Sequence, residues 1–316
     1  MITVLTGGSG GAKFVSGLAQ VVNPAKLTCI VNTGDDLEWW GLHVCPDVDS
    51  ITYALAGMLS RERGWGVEGD TFHCLEQMQR MGAPTWFQLG DRDLALHLRR
   101  TELLRGGTIL SSATRSLCMT LRVGSTVLPM TNDRVETRVE TEIGDLSFQV
   151  YFVRERHQPV VRQVQFVGAQ VARPAPGVLE AITSADAILL APSNPITSIG
   201  PILAVPGIRE ALLRTTAPIG AVSPLIGGAA VTGPAGALMH AAGLPVSLSG
   251  LARVYGFLDV LIADSADQQD AATVEQLGVS VRFTNTLMKT DADKKALAHA
   301  ALQFTRKAEK RMGAAP

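Results

Sequence analysis

The stretch Thr3–Gln20, "TVLTGGSGGAKFVSGLAQ", is the one whose reading decides the fold class. An apolar, β-branched start runs into Gly7, Gly8, Ser9, Gly10 and Gly11, and then into a segment from Phe14 to Val22 with helical spacing of its apolar residues. Strand, glycine-rich turn and helix in that order open an α/β chain. Backbone amides at a helix start bind anions and glycines let a ligand approach the main chain, so the loop reads as a phosphate site; a glycine turn without a ligand is the alternative. Two familiar nucleotide fingerprints fail on it. A Walker A loop needs Ser or Thr after its lysine, and Lys13 is followed by Phe14. The dinucleotide pattern begins at Gly8 and Gly10 but meets Lys13 at the third glycine, which disfavours a nicotinamide oxidoreductase.

Further along, continuous apolar runs suited to a sheet covered on both faces occur at Ile2–Leu5, Leu27–Val31, Ala187–Leu190, Ile219–Val222 and Val260–Ala263. Helix-like segments alternate with them, including Phe14–Val22, Asp49–Leu59, Ile199–Leu203, Gly207–Leu213 and Ala235–Ala242. The fold class is therefore α/β, a Rossmann-like, doubly wound, mostly parallel sheet. Residues 69–168 behave differently, with helices at Phe72–Arg80, Asp93–Arg105 and Ser111–Leu121 followed by a period-2 hairpin that turns at Gly144-Asp145. They read as a smaller inserted α+β subdomain forming one wall of a cleft, and residues 1–68 and 169–316 as the nucleotide-binding core. The tail Asp291–Arg311 reads as a solvated helix whose basic residues are exposed face rather than binding patch.

Composition excludes several classes. The 316 residues are 46% hydrophobic and 18% charged, with a net charge of −1, which argues against a nucleic-acid-coating protein. No apolar stretch is long enough to span a membrane without Gly, Pro or charge; Ala181–Pro195 comes nearest and reads as helix end, turn and buried strand. Cys29, Cys45, Cys74 and Cys118 lack C-x-x-C spacing, and no secretory signal precedes the first strand, so reduced thiols in a cytoplasmic protein are expected.

Chemistry concentrates in four places. In "VNTGDDLEWWGLHVCPDVDS", Asp35, Asp36, Asp47 and Asp49 follow a strand end, and oxygen ligands beside a phosphate-type loop suit Mg²⁺. Each acid also has a structural reading, such as Asp49 capping a helix at Ser50 or Asp36 closing a turn. Trp39 and Trp40 read as packing before ligand platform. In "WFQLGDRDLALHLRRT", Asp91 or Asp93 reads as an N-cap, while Arg92 at a helix start has the geometry to fork onto phosphate. "LLAPSNPITSIGPILAVPGIRE" sends a strand into Ser193 and Asn194 and then a helix, and "VSPLIGGAAVTGPAGALM" repeats the arrangement without basic residues. His43, His73, His97, His157, His240 and His299 show no metal or triad spacing, which leaves nucleophilic catalysis weakly supported.

Together "TGGSGGAKF", "VNTGDDLEWWGLHVCPDVDS", "RGWGVEGDTF", "LGDRDLALHLRRT", "LPMTNDRVETRVET", "LAPSNPITSIGPIL" and "SPLIGGAAVTGPAG" closely resemble the 2-phospholactate transferase family of deazaflavin coenzyme F(420) biosynthesis, collinearly over nearly the whole chain. The resemblance implies transfer of a phospho-three-carbon acid from its guanosine diphosphate-activated form to the terminal ribityl hydroxyl of the deazaflavin Fo, with release of GMP. The activated acid is phospholactate, phosphoenolpyruvate or phosphoglycerate in different members. By the same resemblance Gly8, Ser9, Gly10, Gly11, Lys13, Ser193 and Asn194 face the nucleotide, and Asp35 and Asp47 hold Mg²⁺. Asp49, Gln88 and Arg92 lie at the deazaflavin, with Asp49 orienting or deprotonating the attacking hydroxyl and Arg92 its catalytic companion. On this reading Asp49→Ala abolishes turnover with the fold intact, and Gly10→Val weakens nucleotide binding by blocking the backbone. A cytoplasmic homodimer with small-molecule substrates, no nucleic acid and no membrane is expected. The competing class is a nucleotide-sugar-binding regulator of the related gluconeogenesis-factor family, which shares the glycine loop and the sheet; "LGDRDLA" and "CPDVDS" are the features associated with the deazaflavin side.

Overall fold

In the computed structural model, which describes residues 1–308 and 310, seven strands form one sheet. They are β1 (Ile2–Thr6), β2 (Leu27–Val31), β3 (Thr126–Pro129), β4 (Ala187–Leu190), β5 (Ile219–Val222), β6 (Val260–Asp264) and β7 (Ser280–Thr284). Their order is β7-β6-β5-β4-β1-β2-β3, and every neighbouring pair is parallel. The doubly wound reading is correct, and the chain reverses its direction of travel across the sheet between β1 and β4. A crevice opens at the carboxyl ends of the strands at such a point. Side chains alternate as the pleat requires: Leu5, Ile188 and Leu190 enter one apolar cluster and Val4, Leu189 and Ile262 the other.

β3 and β7 escaped the sequence reading because both are edge strands. "TVLP" alternates between buried and accessible residues and "SVRFT" buries only Val281, so neither shows the continuous apolar run of a central strand. β3 also corrects the domain division. It lies inside 69–168 yet pairs with β2, so the insertion is two excursions from the sheet rather than one. The first, between β2 and β3, carries α2 (Pro46–Leu55), α3 (His73–Arg80), α4 (Asp91–Arg105) and α5 (Leu110–Thr120). The second, between β3 and β4, is an antiparallel sheet with Glu136–Thr141 in the middle, flanked by Gly144–Ser147 and Val161–Val167. Its hairpin turns at Glu142-Ile143, with Thr141 opposite Gly144, two residues before the expected turn. Val150–Arg154 is a π-helical turn instead of strand, and it stacks Phe148 on Phe152 at 5.4 Å.

α1 (Gly8–Val21) begins among the glycines rather than at Phe14, with Gly8 at a φ of +66°. The tail helix α6 (Asp291–Lys307) is not solvated on all sides. It buries Leu297, Ala298, Ala301 and Leu302, and it lies so close to α1 that a Cβ on Gly17 would stand 2.6 Å from the carbonyl carbon of Lys294. The expected extension to Arg311 falls outside the described residues. Among the described residues no helix is long and apolar enough to cross a membrane.

Candidate active site

A cleft of about 720 Å³ opens where the sheet order reverses. Its core wall is the start of α1, including Gly8, Gly10 and Lys13, together with the loops after β4, β5 and β7 at Ser193–Asn194, Ser223–Pro224 and Thr286–Met288. The rest of its lining comes from α2, α4 and the aromatic residues Trp65, Trp86, Phe87, Phe148 and Phe152, together with Arg63 and Arg156. The size and the mostly apolar lining suit a small-molecule site.

On the core wall the sequence-derived residues converge. Gly8, Ser9, Gly10, Lys13, Ser193 and Asn194 all line the cleft, whereas Gly11 is buried beneath it. The Ser193 hydroxyl donates to the Gly7 carbonyl at 2.7 Å, and the Asn194 side-chain oxygen accepts from the Ile196 amide at 2.9 Å. Ser193 thus ties this loop to the glycine-rich loop before α1, and Asn194 shapes its own loop. A Cβ on Gly10 would run into the Pro192 carbonyl oxygen, so this glycine is required for contact between two loops. Gly10→Val would therefore disturb the wall itself.

The four aspartates are not in one loop. Leu37–Trp39 and Leu42–Val44 form a hairpin, and α2 then starts at Pro46, which has no N–H to leave unpaired in the first turn. Trp39 is buried against Trp40, Trp86 and Phe87, as the packing reading expected, and neither Trp39 nor Trp40 lines the cleft. Asp35 and Asp47 do meet. The Asn32 side-chain amide nitrogen donates to Asp35 Oδ2 at 3.0 Å and to Asp47 Oδ2 at 2.9 Å, and Asp47 Oδ1 accepts the Gly8 amide at 2.8 Å. Asp35 Oδ1 is sealed from solvent with no hydrogen-bond partner. Burial, then the neighbouring Asp47, pushes the proton affinity of Asp35 well above the usual carboxylate range; burial pushes Asp47 up to about 6.

Asp49 lies two residues further along α2, and it is not a free acid of the cleft edge. Its oxygens pair with Arg100, which is 1% exposed: Nη1 donates at 3.0 Å and Nη2 bonds the other oxygen. His97 Nδ1 lies 3.5 Å from Asp49 Oδ2, and His97 Nε2 lies 3.1 Å from Asp93 Oδ1, which also accepts the Tyr53 hydroxyl at 2.6 Å. Tyr53, Asp93, His97 and Arg100 were missed as site residues. The available signal was helical spacing, since 49 and 53 share one face of α2 and 93, 97 and 100 share one face of α4.

Arg92 is a correction. One position off that face, it is exposed, donates from Nη1 to the Glu68 carbonyl at 3.1 Å and does not line the cleft, so the guanidinium nearest the acids is that of Arg100. Gln88 does line the cleft, with an exposed side chain. The histidine reading also needs amendment. The hairpin brings Asp36, His43 and Cys45 together, their potential ligand atoms within 4.8 Å of one another, although their sequence spacing matches no metal motif. That group stands behind the cleft wall, with His43 Nε2 3.3 Å from Asp36 Oδ2.

A family model described as 2-phospho-L-lactate transferase CofD matches residues 2–305. The chain belongs to the 2-phospho-L-lactate transferase family. Among the relatives of this family, a phosphoenolpyruvate transferase from Streptomyces coelicolor is 45% identical over 299 residues, spanning 92% of this chain and 93% of its own. A 2-phospho-L-lactate transferase from Methanosarcina acetivorans is 42% identical over 296 residues, spanning 93% of this chain and 96% of its own. A crystal structure of a UPF0052-family protein from Bacillus halodurans superposes with a TM-score of 0.65, covering 95% of this chain and 98% of its own at 19% identity, a likeness of fold. The family places the chain among transferases.

Proposed function

We propose that this protein transfers 2-phospho-L-lactate, or its phosphoenolpyruvate or phosphoglycerate counterpart, from a guanosine diphosphate-activated form to the ribityl hydroxyl of Fo, releasing GMP. The observation that carries the reading is the make-up of the cleft, which gathers the α1 amides and Lys13 together with a set of aromatic residues, Arg63 and Arg156. The amides and Lys13 suit a diphosphate and the aromatic residues a flat heteroaromatic ring. Relatives bearing transferase names match along nine-tenths of the chain, while likeness to the UPF0052 protein is at the level of fold, which favours the transferase over the regulator.

Mg²⁺ fits the residues present. Asp35 and Asp47 offer hard carboxylate oxygens, one of which, Asp35 Oδ1, is buried without a hydrogen-bond partner. Bound there, Mg²⁺ would neutralise phosphate charge. The chain's own residues do the rest: Asn32 keeps the two carboxylates together, Gly8 donates to Asp47, and Lys13 faces the diphosphate. Phosphoryl-type transfer depends mainly on such positioning and charge compensation. Asp49 and Gln88 line the deazaflavin side on this reading. The four cysteines are free, which supports a cytoplasmic setting, and we extend the reading to a homodimer.

Purified protein incubated with Fo, Mg²⁺ and each activated acid in turn is expected to yield GMP and a phosphorylated deazaflavin with at least one donor. Absence of both products with all three donors would overturn the reading.

A further inference from the structure

Two carboxylates meet where α2 and α4 adjoin, and their oxygens are used differently. Both oxygens of Asp49 are taken by Arg100. Asp93 Oδ1 accepts the Tyr53 hydroxyl at 2.6 Å and lies 3.1 Å from His97 Nε2 as an ion-pair contact, while its Oδ2 is neither hydrogen-bonded nor sealed from solvent. Asp93 lines the cleft, and its own amide is anchored on Asp70 Oδ2 at 3.1 Å. A carboxylate with one oxygen clamped and the other open to a substrate cavity is built to receive a hydrogen in a defined direction.

We propose that Asp93 Oδ2 accepts the proton of the attacking hydroxyl, that His97 and Tyr53 are positioning residues for it, and that Asp49 is the fixed counter-charge of Arg100. The inference rests on the transferase reading above. The ribityl O–H bond breaks as its oxygen forms a bond to phosphorus, and the proton passes to Asp93. The phosphorus–oxygen bond to GMP breaks, its electron pair leaves with GMP, and the proton on Asp93 is returned to water. In a loose phosphoryl transition state the nucleophile needs orientation more than a strong base, as with the aspartate of protein kinases.

The charged and titratable groups facing Asp93 are Asp49 and Tyr53 from α2, His97 and Arg100 from α4, and Asp70 from the loop before α3. Burial works against the charge of Asp93, but His97 and Tyr53 more than offset it and hold the acid below the usual carboxylate range, ionised at neutral pH. Burial, then Asp93, keeps the Tyr53 phenol protonated and therefore a donor.

The test compares wild type, Asp93→Asn and Tyr53→Phe by steady-state GMP release across pH, with Fo affinity from fluorescence titration. Asp93→Asn is expected to lower kcat by about 10²–10⁴-fold while Fo affinity stays within about threefold. Tyr53→Phe removes a donor to Asp93 Oδ1, so the acidic limb of kcat/KM is expected to move to higher pH with its alkaline plateau retained. A purely structural role would leave that limb where it was. Wild-type kcat in a folded Asp93→Asn variant, or an unmoved limb in Tyr53→Phe, would overturn the assignment; should Asp93→Asn fail to fold, Tyr53→Phe decides alone. Wild type that releases no GMP would refute the transferase reading itself, a separate result.

Discussion

Asp49 shows what residue type and position reveal and what they conceal. That an acid stands in the first turn after the aspartate-rich stretch is visible in "CPDVDS", but its partner is 51 residues away on α4. Read locally, Asp49 is a cleft acid whose loss the fold tolerates; with Arg100 opposite, it is half of a buried ion pair. Removing one partner of such a pair leaves an uncompensated charge. Asp49→Ala is therefore expected to lower stability by about 3–5 kcal/mol, read as a fall in the urea midpoint. An unchanged midpoint would show that Arg100 finds solvent or another acid. The sequence singles out Arg92 at the helix start, whereas the rotation of about 100° per residue along α4 turns Arg100 inward.

Among the elements, the glycine-rich start of α1 and the buried strands were legible because their signals are local: a continuous apolar run, a glycine cluster, a helical period. Capping was not. Asp91, at the first position of α4, does not cap its own helix. It accepts the His73 and Cys74 amides of α3 at 3.0 and 2.9 Å and the Thr71 hydroxyl at 2.6 Å. Asp70, just before α3, accepts the Arg92 and Asp93 amides of α4 at 2.8 and 3.1 Å. Two helix starts thus exchange caps, which fixes α4, and with it Asp93 and His97, against α3. Asp91→Ala is expected to lower stability by about 1–2 kcal/mol, with faster hydrogen exchange at the His73 and Cys74 amides. Exchange rates equal to wild type at those two positions would contradict the exchanged caps.

For the molecule as a whole, the cleft is a junction of distant segments, and its charge balance makes a prediction. Asp35 and Asp47 hold protons more readily in the fold than as free side chains, so their stabilising contribution is present at low pH and is lost as pH rises through Asp47's value of about 6. A cation that binds the folded site compensates there and competes with protons below it. The rise in Tm on adding Mg²⁺ is therefore expected to be larger at pH 8 than at pH 5; an equal rise at both would argue against Asp35 and Asp47 as ligands. The doubly wound sheet, the glycine-rich turn into α1 and the family were readable from sequence, because apolar runs, glycine spacing and long motifs are properties of contiguous residues. Tertiary structure alone decided that β3 belongs to the sheet, that Asn32 joins Asp35 to Asp47, and that Asp93 keeps an open oxygen while Asp49 does not. Edge pairing, ion pairing and hydrogen-bond saturation each depend on a partner whose distance along the chain carries no local signal.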